Sequence, residues 1–266
     1  MTMKPAAALL AAGHVVPSAA VTLLTAALGV AIGLDIGSLA VLTLALFSGQ
    51  LLIGWSNDLI DLDRDRQVGR TEKPLVSGDL TLPTARAAVA VAAVVCVVAS
   101  LACGLAAGTV HLVFGVGFAL AYNLGLKSTV MSWLPYFVAF GSLPVIVTLT
   151  ADPNDLPPLW MIAVSGLLGV GGHLLNVAPD LGDDNATGVR GLPHILGARR
   201  IPYVAAVLLV GATAIAVIAN SHLPWMWPGL AVVVVVALAT MRGPGRVPLY
   251  GAMAIAAVDV VMLVLA

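Results

Sequence analysis

The fold is decided where an apolar segment runs directly into a series of acids, in residues 38–65, SLAVLTLALFSGQLLIGWSNDLIDLDRD. Residues 38–56 contain no Asp, Glu, Lys or Arg. That length matches the ~20 mostly apolar residues that a helix needs to cross the hydrocarbon core of a bilayer. The aspartates begin immediately afterwards, at Asp58. The segment therefore predicts a membrane-spanning helix with an acidic cluster at one end.

Composition extends this interpretation to the whole chain. Of its 266 residues, 60% are hydrophobic and 9% are charged, with a mean hydropathy of +1.05, whereas a soluble domain carries about 25% charged residues. We therefore expect an integral protein of the cell membrane, with the lipid bilayer as its solvent. The net charge of −1 gives no global field that would attract nucleic acid. Cys96 and Cys103 lack metal-ligand spacing and are interpreted as small buried hydrophobes.

Nine segments are long and apolar enough to be transmembrane helices. They cover residues 15–34, 38–56, 84–103, 107–126, 132–150, 158–178, 201–219, 224–240 and 247–266. These segments predict an all-α fold, a polytopic membrane bundle that forms one domain over residues 1–266. Two connections, 57–83 and 179–200, are longer and polar, and we expect them to form a cap over one end of the bundle.

The cations support this partition and orient it. All twelve Lys and Arg residues fall at the N-terminus or in or beside the connections on one side of the predicted bundle. Cytoplasmic loops are enriched in Lys and Arg. We therefore expect the N-terminus and both polar loops on the cytoplasmic side and the C-terminus on the opposite side.

Seven of the thirteen acidic residues form two clusters at the ends of predicted spans. If the second span continues as a helix, Asp58, Asp61 and Asp65 fall at positions i, i+3 and i+7, on one face. Asp63 then points elsewhere. A second cluster follows the sixth span. It consists of Asp180, Asp183 and Asp184, at i, i+3 and i+4 of one face.

Stacked like charges repel each other, so two such faces indicate a cation between them. Oxygen ligands select hard ions, and Mg²⁺ is held by a few carboxylates together with phosphate oxygens and water. Basic residues near the clusters would contact the remaining phosphate oxygens. They are Arg64, Arg66, Arg70, Lys73, Lys127 and Arg190. The pattern predicts a Mg²⁺–diphosphate site, and a solvated loop with balanced charges is the alternative.

Three motifs carry a resemblance to a known family. An N-D-x-x-D-x-x-x-D signature runs from Asn57 to Asp65 and is followed by a basic residue, Pro-Leu and Ser-Gly between Lys73 and Gly78. A D-x-x-x-D signature runs from Asp180 to Asp184, with Gly and Leu-Pro after it. Between them lie Tyr122 and Lys127. The set resembles the UbiA superfamily of intramembrane prenyltransferases, in which the Tyr–Lys spacing is more commonly four than the five found here.

The resemblance implies a site for an isoprenyl diphosphate, with its tail in lipid and its head under the cap, and an unidentified acceptor. The implied Mg²⁺ ligands are Asn57, Asp58, Asp61, Asp65, Asp180, Asp183 and Asp184. The diphosphate-binding residues are Arg70, Lys73, Lys127 and Arg190, with Asn176 added because it lies one helical turn before Asp180. The catalytic residues are Lys127, Arg70, Lys73 and Tyr122. In this scheme the metal neutralises the leaving diphosphate, and the allylic cation left behind alkylates the acceptor.

Three other functions compete with prenyl transfer. A membrane terpene cyclase of the same superfamily would share the metal site and let the chain's own double bond attack the cation. A CDP-alcohol phosphatidyltransferase would need a D-G-x-x-A-R motif, which neither cluster contains. An ion transporter would place its ionisable residues at mid-membrane rather than at one face. The motifs identify neither the acceptor nor the prenyl length.

Four further polar residues lie in or near the spans. His173 either orients an acceptor or forms a hydrogen bond to a neighbouring helix. His14 and His111 have no acidic partner in the sequence pattern and are predicted to be structural. Asp259 is expected to pair with a polar neighbour or to reach the interface. The glycines of residues 166–172 are predicted to serve close helix packing.

Overall fold

Every regular element of the protein is a helix in the computed structural model, which describes residues 4–265. The α-helices are α1 (Pro5–Ala12), α2 (Val15–Ala31), α3 (Ile36–Ile60), α4 (Leu62–Gln67), α5 (Pro74–Ser77), α6 (Leu82–Ala102), α7 (Leu105–Val110), α8 (Phe118–Leu124), α9 (Leu134–Ala151), α10 (Leu159–Val177), α11 (Leu181–Ala186), α12 (Leu192–Leu196), α13 (Ile201–Ala219), α14 (Met226–Thr240) and α15 (Val247–Val264). A π-helical segment, His111–Gly117, joins α7 to α8. Short 3₁₀ turns occupy Leu126–Ser128, Val130–Trp133 and Ala178–Asp180. The predicted all-α class is confirmed.

Seven helical segments within residues 4–265 are long and apolar enough to cross a bilayer. They are Ile36–Ile60, Leu82–Ala102, Leu105–Leu124, Val130–Ala151, Leu159–Ala186, Ile201–Ala219 and Val247–Val264. α1 and α2 add an eighth if this pair, bent by 70°, is a single span. α14 is apolar but only 15 residues long. Each predicted span overlaps one of these helices, and the number of nine crossings stays a prediction.

Local sequence explains where several spans begin. The Asp35 side chain accepts hydrogen bonds from the backbone N–H groups of Gly37 (2.8 Å) and Ser38 (3.1 Å), which caps α3. Thr81 caps α6 by accepting from the Thr84 N–H. Proline lies in the first turn of α6, α9, α13 and α15. It is tolerated there because first-turn N–H groups have no partner within the helix.

Glycines bring the central spans close together. A Cβ atom on Gly166 of α10 would lie 2.8 Å from the ring of Phe137 in α9, and one on Gly169 would lie 2.6 Å from Phe140. Such positions let helices approach closely in a membrane, where packing rather than the hydrophobic effect drives association. The prediction that this glycine run serves helix packing is confirmed for Gly166, Gly169 and Gly171, whereas a Cβ on Gly172 would meet nothing within 4 Å.

Two buried apolar clusters hold the spans together. One joins α10, α13 and α15, where Leu174, Leu209 and Ile255 are fully buried. The other joins α3 and α9 through Leu46 and Val147. The outer faces of the spans expose many Leu and Val side chains. Such faces match lipid, which is as apolar as leucine itself.

Both polar connections fold into short helices rather than open loops. The first contains α4 and α5, and the second contains α11 and α12. The additional helix α1 packs against α5, where Ala8, Ala12 and Leu75 share a buried cluster. Trp55 of α3 donates from Nε1 to the carbonyl oxygen of Leu9, at 2.9 Å. α1 and α5 are thereby held beside the acidic end of α3, and the cytoplasmic cap stays a prediction.

Candidate active site

The first polar segment buries three of its aspartates. The chain bends between α3 and α4, yet the carboxylates of both helices stay on one side. Asp58, Asp61 and Asp65 are 2%, 4% and 1% exposed, whereas the side chain of Asp63 is 91% exposed. The spacing of these residues therefore groups three carboxylates inside the protein and leaves Asp63 outside, as predicted.

Lys73 lies between Asp58 and Asp65. Its Nζ donates to Asp58 Oδ1 at 3.0 Å and to Asp65 Oδ2 at 2.7 Å. Lys73 directly precedes Pro74, the first residue of α5, and a proline there sets the start of that helix. Burial disfavours the charged amine, but the two carboxylates outweigh it and raise the pKa of Lys73 above its usual value. The site thus holds a cationic lysine between two buried acids.

Asp61 receives hydrogen bonds from three side chains. Arg64 and the Asn57 amide donate to Oδ2, at 2.7 Å and 3.0 Å, and Lys127 donates to Oδ1. The side-chain nitrogen of Asn57 also donates to Asn123 Oδ1 at 3.1 Å. The side-chain oxygen of Asn57 therefore takes part in neither hydrogen bond. Burial lowers the pKa of Lys127, and Asp61 offsets part of that effect.

Arg70 connects the two polar segments. Its guanidinium lies 4.0 Å from Asp65, 3.4 Å from Asp180 and 3.5 Å from Asp183. Burial opposes the charge, but Asp180 and Asp65, followed by Asp184 and Asp183, outweigh it and raise the pKa of Arg70. One planar cation therefore holds the two acidic clusters within reach of a single ligand.

The second polar segment packs against the loop that carries Lys127. A Cβ atom on Gly191 would lie 2.5 Å from the Lys127 carbonyl oxygen, so only glycine fits there. The Gly191 N–H donates to His194 Nδ1 at 3.1 Å. The proton of a neutral His194 is therefore on Nε2, which faces Asp184 Oδ2 at 3.5 Å. Asp184 therefore lies beside His194, although His194 Nε2 forms no hydrogen bond among the described residues.

The donor chemistry of the site fits a hard divalent cation such as Mg²⁺. Buried carboxylate oxygens and an amide oxygen are the ligands that such ions select, and the buried Asp65 Oδ1 has no hydrogen-bond partner among the described residues. Within residues 4–265, no three His, Cys, Asp or Glu side chains converge as a ready ligand set. Lys73 instead bridges Asp58 and Asp65, and Lys127 and Arg64 both contact Asp61. A metal ion could reach the carboxylates only if these cations turned away from them.

An internal cavity of about 570 Å³ begins at these charged groups and continues between the spans. Its charged end is lined by Asp58, Asp61, Arg70, Lys73, Lys127, Asp180 and Asp184. Deeper walls come from α2, α9, α10 and α15, with Leu24, Leu28, Leu143, Leu168, Met253 and Val260 among their residues. On α2 the lining runs from Pro17 to Leu28, about 16 Å at 1.5 Å per residue. The cavity is therefore long, charged at one end and mainly apolar beyond it.

Aromatic rings form the wall next to the charged end. The rings of Tyr136 and His173 stack with centroids 4.3 Å apart, and Tyr122 meets Tyr136 edge-on at 5.1 Å. His173 Nε2 lies 3.2 Å from Ser132 Oγ, which is the predicted hydrogen bond to a neighbouring segment. Asn176 lies one turn beyond His173, where its Oδ1 is 3.5 Å from an Arg246 nitrogen. All except Ser132 line the cavity.

Most of the predicted site residues come together at this end of the cavity. Tyr122 and Lys127 both line it, although α8 ends at Leu124 between them, so their five-residue spacing is not a helical spacing. Asp65 and Asp183 lie outside the lining, and both approach Arg70. Arg190 is exposed and lines no part of the cavity. The individual roles of these residues stay predictions.

Three residues of the site were not predicted from the sequence to belong to it. Asn123 follows Tyr122 directly, and His194 follows the Leu-Pro pair of the second motif, so their positions beside motifs were the available signals. Tyr136 lies on another helix and carries no such signal. The prediction that His14 has no acidic partner was wrong, because its Nε2 lies 3.5 Å from Asp58 Oδ1.

Comparison with known proteins decides what kind of protein carries this site. The sequence matches the UbiA prenyltransferase family over residues 6–244. The chain belongs to that family. UbiA membership and the apolar helices together make it an integral membrane protein. No curated protein matches the chain.

Solved structures of UbiA proteins share the fold. A UbiA homologue from Archaeoglobus fulgidus, bound to GPP and Mg²⁺, is 14% identical with a TM-score of 0.74, covering 97% of this chain and 100% of that one. The apo UbiA homologue from Aeropyrum pernix K1 is 17% identical with a TM-score of 0.72, covering 97% and 96%. A structure from a study of digeranylgeranylglyceryl phosphate synthase is 16% identical with a TM-score of 0.67, covering 99% and 98%. At these identities the likeness concerns the fold.

Proposed function

We propose that the protein is a Mg²⁺-dependent intramembrane prenyltransferase that ionises an isoprenyl diphosphate and transfers the prenyl group to a small or lipophilic acceptor. The observation that carries this proposal is the link made by Arg70. It joins two acidic segments, one ending in Asp65 and the other beginning at Asp180, at the mouth of a long apolar cavity. A diphosphate with a hydrocarbon tail matches both ends of that space.

The charged end binds the diphosphate in this proposal. Asn57, Asp58, Asp61 and Asp65 from the first segment and Asp180, Asp183 and Asp184 from the second would hold Mg²⁺. When bound, the metal supplies Lewis-acid stabilisation of the charge that develops on the departing diphosphate. Lys73 and Lys127 exchange their carboxylate partners for phosphate oxygens. Arg70 keeps both segments in place while it donates to the same leaving group.

The apolar part of the cavity holds the prenyl chain and keeps water from the allylic cation. Water would quench that cation to an alcohol, so exclusion of solvent is part of the chemistry. The wall of Tyr122, Tyr136 and His173 lies next to the charged end, where electron-rich aromatic rings stabilise a passing cation. The acceptor approaches the same place. The distribution of Lys and Arg in the sequence supports a cytoplasmic position for the charged end.

Ionisation alone also serves a membrane terpene cyclase, which is the second candidate. The cyclase is favoured by one observation, that a single cavity contains both the charged end and the aromatic wall. A prenyl chain folded back within it could react with itself. The products separate the two functions. A cyclase forms a cyclic hydrocarbon or alcohol without an acceptor, whereas a transferase needs one.

The test is product analysis by mass spectrometry. Purified protein is incubated with Mg²⁺ and prenyl diphosphates of graded length, with and without a panel of acceptors that includes aromatic acids, quinone precursors, glycerol phosphate and sugar phosphates. A prenylated acceptor, formed only with Mg²⁺, supports the transferase. A cyclic product without acceptor supports the cyclase. Intact diphosphate in every mixture contradicts both.

A further inference from the structure

The structure holds His14 in a backbone conformation that an L-residue avoids. Its φ of 48° and ψ of 50° are left-handed, and it is the one residue other than glycine with a positive φ within residues 4–265. A Cβ atom makes this conformation unfavourable. Residues held in it persist only where the surrounding structure imposes it, and they cluster at functional sites.

Contacts around His14 impose this conformation. A Cβ atom on Gly54 of α3 would lie 3.0 Å from the carbonyl oxygen of Gly13, so the two backbones are in direct contact. The hydroxyl of Ser18 donates to that same carbonyl at 3.0 Å, and the Trp55 bond to Leu9 holds α1. The elbow between α1 and α2 is thus held against α3 on the α1 side of His14, and Ser18 of α2 ties the other side back to Gly13.

With the turn between α1 and α2 held in this way, the imidazole of His14 lies beside the first acidic cluster. His14 Nε2 lies 3.5 Å from Asp58 Oδ1, and His14 lines the cavity. Lys73 approaches the same oxygen at 3.0 Å. Asp58 Oδ2 is therefore the oxygen that faces neither of these donors. The carboxylate itself is 2% exposed, so its orientation depends on these neighbours.

We propose that His14 is a positioning residue of this site, whose imidazole N–H fixes the Asp58 carboxylate with Oδ2 presented to the divalent cation of the diphosphate. The inference rests on the proposed function, because it takes Asp58 as a metal ligand. Groups that orient a metal ligand through its other atom typically change metal affinity or activity by about 10–100-fold when removed. If Lys73 turns towards the diphosphate, it no longer holds Asp58 Oδ1. His14 is then the donor that remains on that oxygen.

Two substitutions separate the side chain from the strained backbone. His14→Gly and His14→Asn both tolerate a left-handed residue, glycine because it has no Cβ and asparagine because it is enriched there. His14→Gly removes the side chain, while His14→Asn keeps a shorter polar one that can donate. A merely structural histidine predicts equal behaviour of the two variants, since both preserve the elbow.

The experiment measures the melting temperature of the purified full-length protein as Mg²⁺ is added at a fixed concentration of inorganic pyrophosphate. The Mg²⁺ dependence of turnover is measured as well. We expect His14→Gly to melt at or above the wild-type temperature without ligands, yet to need about 10–100-fold more Mg²⁺ for half of the pyrophosphate-dependent rise. The Mg²⁺ concentration that His14→Asn needs should lie between those of the wild type and His14→Gly. Saturating Mg²⁺ should restore much of the kcat of His14→Gly.

Two results would overturn the inference, and they are distinguishable. If the wild type responds to Mg²⁺ and pyrophosphate and His14→Gly responds at the same concentrations, His14 does not position Asp58, and the proposed function stands. If the wild type neither responds nor releases diphosphate from any prenyl diphosphate, the proposed function fails and the role of His14 fails with it.

Discussion

Arg70 and Asp180 lie 3.4 Å apart although they belong to different polar segments of the chain. Arg70 also approaches Asp65 and Asp183. Its guanidinium is therefore a side-chain cation that lies between the two acidic clusters. Diphosphate and metal would enter the same place. The relationship predicts that Arg70 contributes to both the stability of the acidic end and the binding of substrate.

Replacing Arg70 by Lys keeps the charge but removes the planar fork that contacts both segments. We expect the KM for the prenyl diphosphate to rise about tenfold or more, since a hydrogen bond to a charged group contributes about 1.5–3 kcal/mol. Steady-state kinetics at saturating Mg²⁺ measures this. Arg66→Ala is the matched control, because Arg66 pairs only with the exposed Asp63. Equal KM values for Arg70→Lys and Arg66→Ala would contradict the role of Arg70.

The two acidic segments should be needed separately. Asp58→Asn and Asp184→Asn each remove one proposed metal ligand, and we expect Mg²⁺-dependent diphosphate release to fall at least about a hundredfold in each. The reason is that a bound metal supplies several kcal/mol of transition-state stabilisation. Asp63→Asn, next to the cluster but 91% exposed, should stay close to wild type. Near-normal release in both ligand variants would show that the metal-site assignment is wrong.

The close contact at Gly191 predicts that the second segment must sit directly on the Lys127 loop. Gly191→Ala would put a methyl group 2.5 Å from the Lys127 carbonyl oxygen, so the segment has to shift away and Lys127 loses its place. We expect lower kcat and a lower melting temperature. Gly182→Ala, in the same segment, meets nothing within 4 Å and serves as the control. If the two variants melt and turn over alike, the packing at Gly191 does not support the site.

The parts of this site that the sequence predicts are those set by local spacing. Asp58, Asp61 and Asp65 share a face because one helical repeat governs them, even across the bend at Asp61, and the same repeat places Asp63 outside. The spans were predictable for a similar reason, since about 20 apolar residues are needed to cross a bilayer.

What the sequence could not predict depends on contacts between distant segments. His14 reaches Asp58 only because Gly13 lies against Gly54 and α1 turns by 70° from α2. No periodicity encodes that elbow. Lys127 reaches Asp61 after its helix has ended, so helical spacing from Tyr122 is the wrong measure.

The N-terminus of α3 lies outside the proposed site and allows a pH prediction for stability alone. The Ser38 hydroxyl, then the Ser38 and Gly37 N–H groups, hold the pKa of Asp35 below its usual value. A carboxyl with a lowered folded-state pKa stabilises the fold above its unfolded pKa of about 3.9, and this contribution is lost as the pH falls through the lower folded value.

Asp35→Ala should therefore melt below the wild type at pH 7, and the difference should shrink as the pH falls below about 4. Asp35→Asn keeps the cap without titrating, because asparagine caps helices about as well as aspartate. Its melting temperature should follow wild type at neutral pH. Thermal unfolding across pH measures both variants, and a pH-independent effect of Asp35→Ala would exclude a charged cap.

The length of the cavity predicts that a single bulky residue limits the prenyl chain. Ala256 of α15 lines the cavity ten residues after Arg246, about 15 Å along the helix at 1.5 Å per residue, and Arg246 contacts Asn176 next to the aromatic wall. A tryptophan at Ala256 should block the deeper part and leave the charged end intact. We expect Ala256→Trp to lose turnover of long prenyl diphosphates and to retain turnover of the shortest, measured as kcat/KM over a graded series.

Ala257→Trp adds the same bulk one residue later, at a position that lines a different cavity, and should keep the wild-type preference. A uniform loss with all chain lengths in Ala256→Trp would mean that the prenyl tail lies elsewhere, because a blocked tail site discriminates by length whereas a damaged fold does not.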